Sequence, residues 1–398
     1  MGNSPVVLGF DFGGTKIAIA VCDLTGNRLA AATISTGAAG AGPALAGQPA
    51  AERPASERGA RAIFDRGIRA ARELLVTVAP RSELAAVGAA TFGIPFEDRV
   101  ELAPAIDGWE SLALGRELRA AFGGADVRLA TDAKAAATAE VRWGTLSGCD
   151  PGIYLNLGTG LAAAIVVGGQ VVSGGNGAAG EIGYNLRAVS DVGRLLDQRV
   201  PLEGMVSGLG LARRAGVSGR PGPGPWPGGP GIGGPGIGGP GIGGPASDPA
   251  QAMTAADIFA ASPDDPELDD LLTSFVTELA FHLVNLTICI NPVRIAVGGG
   301  MVRSWERLRP QLADALSAGV PFPPELVVAQ FPYDAPLLGA VALAVDAARG
   351  RERQNREEQD AGTARASPAA ETGSADGAAV TIDKDTMYQN TMTQDTRV

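Results

Sequence analysis

At 398 residues, with 45% hydrophobic and only 5% aromatic side chains, the chain is long enough for two domains, with cores built mainly from Ala, Val, Leu and Ile. Its formal charge is −11, with no Lys/Arg cluster, which argues against a face that neutralises a nucleic-acid backbone. No apolar run of membrane-span length, no signal-peptide pattern and, with Val6 where Ser or Thr is needed, no myristoylation pattern is found, so the expected protein is cytoplasmic and free of membrane.

In chain order, residues 6–12 and 16–22 are apolar runs joined through Gly13-Gly14, a strong hairpin signal. Residues 27–36 read as a third strand, 37–58 as a flexible Ala/Gly/Pro connection, 60–78 as an amphipathic surface helix and 84–90 as a buried strand. Strand, long helix and strand imply a right-handed crossover and a partly parallel sheet. A helix at 114–122 and a strand at 127–130 follow, with Thr131-Asp132 at the strand's carboxyl end, where open α/β sheets gather active groups.

A second hairpin, residues 153–157 and 161–167 around Gly158-Thr159-Gly160, repeats the opening device. Residues 174–183 are too glycine-rich for regular structure and carry one acid, Glu181. Residues 201–215 read as helix and 216–250 as a disordered Gly/Pro insertion. Helix resumes at Thr254, with a long helix at 265–290, a strand at 294–297 running into Gly298-Gly299-Gly300, a helix at 301–318, a strand at 326–329 and a helix at 337–348. From 351 onward the polar, acidic composition predicts a disordered tail.

Cys22, Cys149 and Cys289 are far apart in apolar or turn contexts and read as reduced structural thiols. The single histidine, His282, lies in Phe281-His282-Leu283-Val284 on a helical pattern and reads as a packed helix position.

Backbone N–H groups at the Gly13-Gly14 turn, with the Thr15 hydroxyl and the Lys16 ammonium beside them, make a cradle for phosphate oxygens. Asp11 would then face a phosphate, which assigns it to Mg²⁺ through water; the plainer reading is an acid capping a hairpin. Two Gly-Thr hairpins, one per half, can grip a phosphate chain from both sides of a cleft, and two unrelated hairpins are the alternative.

The ordered series Asp11-Phe12-Gly13-Gly14-Thr15-Lys16, Gly93-Ile94-Pro95, Asp132-Ala133-Lys134-Ala135-Ala136, Leu157-Gly158-Thr159-Gly160, Gly180-Glu181-Ile182-Gly183 and Gly298-Gly299-Gly300 resembles the ROK family of sugar kinases and repressors over residues 5–348. The resemblance implies an actin-like, ribonuclease-H-like fold of two α/β domains closing over ATP and sugar. On that reading residues 1–132 with a returning helix at 335–349 form the phosphate-binding domain, 133–334 the larger domain with the adenosine site, and 350–398 the tail.

Carried over by position, Asp11 would organise Mg²⁺, and Gly13, Gly14, Thr15 and Lys16 would face the transferred phosphate. Gly158, Thr159 and Gly160 would hold the other side of the phosphate chain, and Gly299 and Gly300 would line the adenosine pocket. Asp132 matches the family's catalytic base, and an N-cap on the following helix is its alternative role. Glu181, Tyr184 and Asp107 fall at acceptor-binding positions.

Departures fall on the acceptor side. Thr131 and Lys134 stand where Asn is usual on either side of the catalytic Asp, Ala105 stands for a sugar-binding Asn, and Tyr184 for His. Residues 185–205 contain neither Cys nor His, so no zinc site is expected. Lost amide and imidazole contacts point away from an ordinary aldohexose, because unpaired hydroxyls are costly to bury. Kinases of C7-cyclitols in valiolone-type aminocyclitol biosynthesis belong to this family. The expected function is therefore ATP-dependent phosphorylation of a primary hydroxyl on a sugar or C7-cyclitol. A hexose 6-kinase is the first alternative and a non-catalytic sugar sensor the second. A repressor would need a DNA-binding segment ahead of a phosphate hairpin that begins at residue 8. The family expectation for assembly is a homodimer, and polyphosphate would fit the same cradle as ATP.

Overall fold

A computed structural model describes residues 4–37, 59–103, 105–217 and 253–366. The chain divides into two compact units, Met1–Glu352 and Arg353–Val398. Every strand among the described residues lies in the first; in the second, the described residues are helical through Ala366. The connection expected at 37–58 and the insertion at 216–250 fall, apart from their edges, outside the described residues.

The first sheet contains β1 (Val6–Phe12), β2 (Lys16–Asp23), β3 (Arg28–Ser35), β4 (Leu84–Thr91) and β7 (Asp126–Thr131) in the order β3-β2-β1-β4-β7. The hairpin strands β1 to β3 pair antiparallel, and β1, β4 and β7 run parallel. Val6, Leu8, Phe10 and Phe12 alternate onto one face. There they meet Ile63, Phe64 and Ile68 of α1 (Ala60–Val78) and Leu114 and Leu118 of α2 (Leu114–Ala121). Val7, Ala18, Ala20 and Ala86 face the other way onto Leu337, Val341, Ala344 and Val345 of α8 (Ala335–Ala366). Covered on both sides, β1 is apolar at nearly every position, as strands buried on two faces are. A short β5 (Ile94–Pro95) and β6 (Val100–Glu101) pair beside this sheet.

The second sheet repeats the plan. Its strands β8 (Gly152–Leu157), β9 (Leu161–Val167), β10 (Gln170–Val171), β11 (Arg294–Gly298) and β12 (Glu325–Val328) run in the order β10-β9-β8-β11-β12, again an antiparallel hairpin continued by parallel strands. One face packs on α4 (Gly208–Val217), α5 (Ala255–Ala261), α6 (Pro266–Ile290) and α7 (Trp305–Gly319). The other packs on Ala136 and Ala137 of α3 (Asp132–Trp143) and on Ala335.

Helices α3 and α8 thus touch both sheets, and they meet each other at backbone distance. A Cβ built on Gly339 would lie 1.7 Å from the Ala135 carbonyl oxygen. Glu140, wholly buried in α3, ties the same helix to the segment before α8. Its Oε2 accepts from Thr145 N at 2.8 Å, Thr145 Oγ1 at 2.9 Å and Gln330 N at 3.1 Å, and its Oε1 accepts from Phe331 N at 2.8 Å. Glu140→Ala removes the acceptor of four donors on half-buried or exposed residues and empties a buried site, and is expected to cost about 2 kcal/mol or more. Chemical denaturation checks this, and a loss under about 1 kcal/mol would show that water replaces the carboxylate.

Several sequence expectations need correction. The helix expected at 201–215 is a 3₁₀ turn at Leu202–Gly204 followed by α4 from Gly208, because Gly208 packs against the Gly158 carbonyl and the chain must bend to reach it. The helix expected at 301–318 opens as a 3₁₀ segment, Gly300–Ser304, before α7. The tail expected to be disordered from 350 is helical to Ala366, since α8 continues past the sheets through the exposed residues Arg351–Gln354, Arg356 and Glu357. Cys22 and Cys149 are buried thiols, whereas Cys289 is exposed on α6. By length and composition α6 also meets the measure of a bilayer span, contrary to the sequence reading. Its Leu268, Leu272, Phe275, Leu279 and Leu283 are nonetheless buried in the second core. His282 is buried as its neighbours imply, and burial holds its pKa below the usual value.

Candidate active site

Pairing in register brings the parallel strands of the first sheet to a common edge: Phe12 lies beside Thr91, and Thr91 beside Thr131. The residues at or just past that edge are Asp11, Gly13 and Asp132. The first hairpin closes with Gly13 N–H donating to the Lys16 carbonyl at 3.0 Å, while Thr36 Oγ1 donates to the Gly14 carbonyl at 2.8 Å and Thr36 N to the Thr15 carbonyl at 3.0 Å. Thr15 and Lys16 are left exposed at its tip. Ala105 sits against this turn, with a Cβ on Gly14 falling 3.5 Å from its own. Burial, with repulsion from Asp132 and Asp334, pushes the Asp11 carboxyl up to about 7 against the pull of Lys16.

Asp132 opens α3 but does not cap it. Thr131 is the N-cap, its Oγ1 accepting from Lys134 N at 3.4 Å, which leaves the neighbouring carboxylate available. Asp132 Oδ1 accepts from Ala133 N at 2.7 Å. Burial raises its pKa to about 6; the Ala133 N–H and Lys134 oppose the rise, and Glu181 adds to it.

In the second lobe the Gly158–Gly160 turn is closed by Gly158 N–H donating to the Gly160 carbonyl at 3.1 Å. It is held from behind by the start of α4, whose Gly208 N donates to the Gly158 carbonyl at 2.8 Å and Leu209 N to the Thr159 carbonyl at 3.3 Å. Gly299 and Gly300 lie against this turn, a Cβ on Gly158 falling 3.6 Å from Gly300 N. Gly299 has φ +93°, and a side chain there would meet the Leu157 carbonyl at 2.5 Å, so only glycine fits. Its N–H donates to the Pro332 carbonyl at 2.8 Å, in the segment that carries Asp334.

Three further side chains, Glu181, Glu203 and Tyr184, cluster near the start of α3 and the second hairpin. Glu181 is ion-paired with Lys134, Nζ to Oε1 at 3.2 Å. Glu203 Oε2 accepts from Leu161 N at 2.8 Å, and burial raises its pKa, with Asp132 and Glu181 adding to the rise. Burial, then Glu203, Glu181 and Glu110, push the Tyr184 hydroxyl up to about 12. Asp11, Asp132, Glu181 and Glu203 thus feel one another's charge, and Glu203 lies against Gly160 of the second turn. Asp107 stands apart: it is exposed, its carbonyl accepts from Ala60 N at 3.0 Å, and among the described residues no hydrogen bond or ion pair joins its side chain to these carboxylates. Glu203, Asp334 and Glu110 were not singled out from sequence. Glu203 falls inside the helix expected at 201–215, and its sequence signal is an acid two residues after Pro201 in an otherwise apolar stretch.

Among the described residues no group of three or more His, Cys, Asp or Glu side chains is arranged to enclose a metal ion. What Asp11 offers is different: a carboxylate crowded by two others, with one lysine as counterweight, fits a hydrated divalent cation that keeps most of its water. Thr15 and Lys16 on one glycine turn and Thr159 on the other are exposed, and their donors suit polyphosphate oxygens.

Against known proteins, the family model described as "ROK family" matches residues 7–347. The bifunctional enzyme NanE/NanK of Brucella melitensis biotype 1 is 29% identical over 233 residues, 58% of this chain and 37% of that protein. Kanosamine kinase of Amycolatopsis mediterranei is 32% identical over 135 residues, 34% of this chain and 44% of that protein. The chain thus matches less than half the length of either. A crystal structure of a ROK family glucokinase from Streptomyces griseus in complex with glucose and AMPPNP superposes with a TM-score of 0.60 and 26% identity, covering 85% of this chain and 99% of that one. The two repeated sheets are those of the actin-like ATPase fold, and the chain belongs to the ROK family.

Proposed function

We propose that the protein is a kinase that uses ATP with Mg²⁺ to phosphorylate a primary hydroxyl of a sugar or a sugar-like C7-cyclitol in the cytoplasm. The observation that carries this reading is Asp132: a carboxylate released from capping by Thr131 and raised to about 6 by burial, within charge reach of Asp11 before one phosphate-type hairpin and of Glu203 against the other. ATP with its metal supplies the phosphoryl group and offsets its charge. The chain's own residues do the rest. Gly13, Gly14, Thr15 and Lys16 face the transferred phosphate, Gly158, Thr159 and Gly160 hold the opposite side, and Gly299 and Gly300 line the adenosine pocket. Glu181 and Tyr184 orient the acceptor, with Glu203 beside them, and Asp132 accepts the proton of the attacking hydroxyl.

The names of the relatives support a sugar-type acceptor, and Ala105, Lys134 and Tyr184 favour one other than glucose. A hexose 6-kinase is the second reading, favoured by the glucokinase likeness. ADP release in the presence of glucose, fructose, mannose, N-acetylmannosamine, kanosamine and valiolone-type cyclitols separates the two. Failure with every acceptor would leave a sugar sensor.

The base must be ionised to work, so turnover is expected to rise with pH through about 6 and to fall about tenfold per unit below it. A rate profile at saturating ATP that stayed flat from pH 7 to 5 would assign the proton to another group.

A further inference from the structure

The segment that carries Glu181 and Tyr184 is anchored by Ile182 in the second core and by Ala163 N donating to the Gly180 carbonyl at 2.8 Å, which fixes its start but leaves the Glu181 carboxylate and the Tyr184 and Asn185 carbonyls to be placed by other elements. It is a single 3₁₀ turn, Ile182–Tyr184, closed by Tyr184 N to the Glu181 carbonyl at 3.1 Å and Asn185 N to the Ile182 carbonyl at 2.9 Å, and such turns are weak alone. Two buried cations reach it from separate elements. Lys134, with a side chain 6% exposed on α3, grips the Glu181 carboxylate at 3.2 Å. Arg199, also buried, donates Nη2 to the Tyr184 carbonyl at 2.7 Å and Nη1 to the Asn185 carbonyl at 3.1 Å. Among the described residues no carboxylate pairs with Arg199, and its Nε is buried without a partner. A guanidinium taken out of water without a counter-ion is expensive, and what it gains here is the position of two carbonyls. The Asn185 side chain continues the attachment to α6 through His282 Nδ1 at 3.3 Å.

We propose that Lys134 and Arg199 are positioning residues that together set the acceptor-binding turn at 180–185. Lys134 acts through a side chain and Arg199 through the main chain, in a stretch with neither Cys nor His to hold a metal. The kinetic arm of the test rests on the kinase reading; the exchange arm does not.

In the full chain, Lys134→Met and Arg199→Met are each expected to raise the acceptor KM about 10- to 100-fold, as small misplacements of binding groups do, while the KM for ATP stays within about twofold. Arg199→Lys, which keeps the charge and can reach one carbonyl, should fall between Arg199→Met and the parent. Hydrogen exchange should quicken at the amides of 180–185 in both methionine variants with the rest of the chain unchanged. Equal rises in both KM values, or no change in either, would overturn the proposal, as would unaltered exchange at this turn. If the parent protein releases no ADP with any acceptor, the kinase reading fails and exchange alone decides. Should a methionine variant not fold, Arg199→Lys carries both measurements.

Discussion

Replacing Asp132 by Ala is expected to lower turnover by about 10²- to 10⁴-fold, the usual worth of a general base, while leaving ATP affinity within about twofold. The loss can be read as chemistry because the helix does not depend on this side chain. Thr131 supplies the cap to Lys134 N, and the hydrogen bond of the Asp132 side chain to the N–H of the buried Ala133 is one that an asparagine can keep. Asp132→Asn sharpens the test. Its amide oxygen can keep the 2.7 Å bond to Ala133 N, but it has no proton-accepting charge, so it should be as slow as the alanine variant. Steady-state kinetics with titration of a non-hydrolysable ATP analogue measures both quantities. Either variant retaining a third of parental turnover would remove Asp132 from the reaction.

Gly339→Ala is expected to destabilise the fold by about 3 kcal/mol or more, near the upper end for a single methyl group. A Cβ there would stand 1.7 Å from the Ala135 carbonyl oxygen, 2.2 Å from its carbon and 2.8 Å from its Cα. These are backbone atoms, which cannot rotate aside as a side chain would, so α3 and α8 would have to part. Separation would also shift Asp132 and Lys134 near the start of α3, and acceptor phosphorylation should fall with stability. Calorimetry alongside the kinetic assay reads both, and a melting temperature within about 2 °C of the parent would show that the helices are not locked at this point.

Local pattern carried much of this into the sequence. Two apolar runs flanking Gly13-Gly14, and two more flanking Gly158-Thr159-Gly160, are a short-range signal, and both became hairpins in register. The long α6 was legible for the same reason, from Asp265 with Pro266 at its start to Asn291, which takes φ +49° at its end. Partners far apart in the chain were not legible. Lys134 and Glu181 are 47 residues apart, and Glu140 meets Phe331 across 191. Arg199 carries no local sequence signal for its role, since only the folded chain shows the carbonyls it holds. Helix starts were misjudged at 201 and 301, where contacts with the Gly158 turn and a 3₁₀ segment decide the geometry.

The near contact of Ala135 with Gly339 has a topological consequence. The chain leaves the first sheet at Thr131 and comes back to it along α8, and these two crossings lie side by side. The intervening polypeptide is an excursion whose entrance and exit share one doorway. Exchanging it for the matching piece of a relative would place both new junctions side by side, at the Ala135–Gly339 contact.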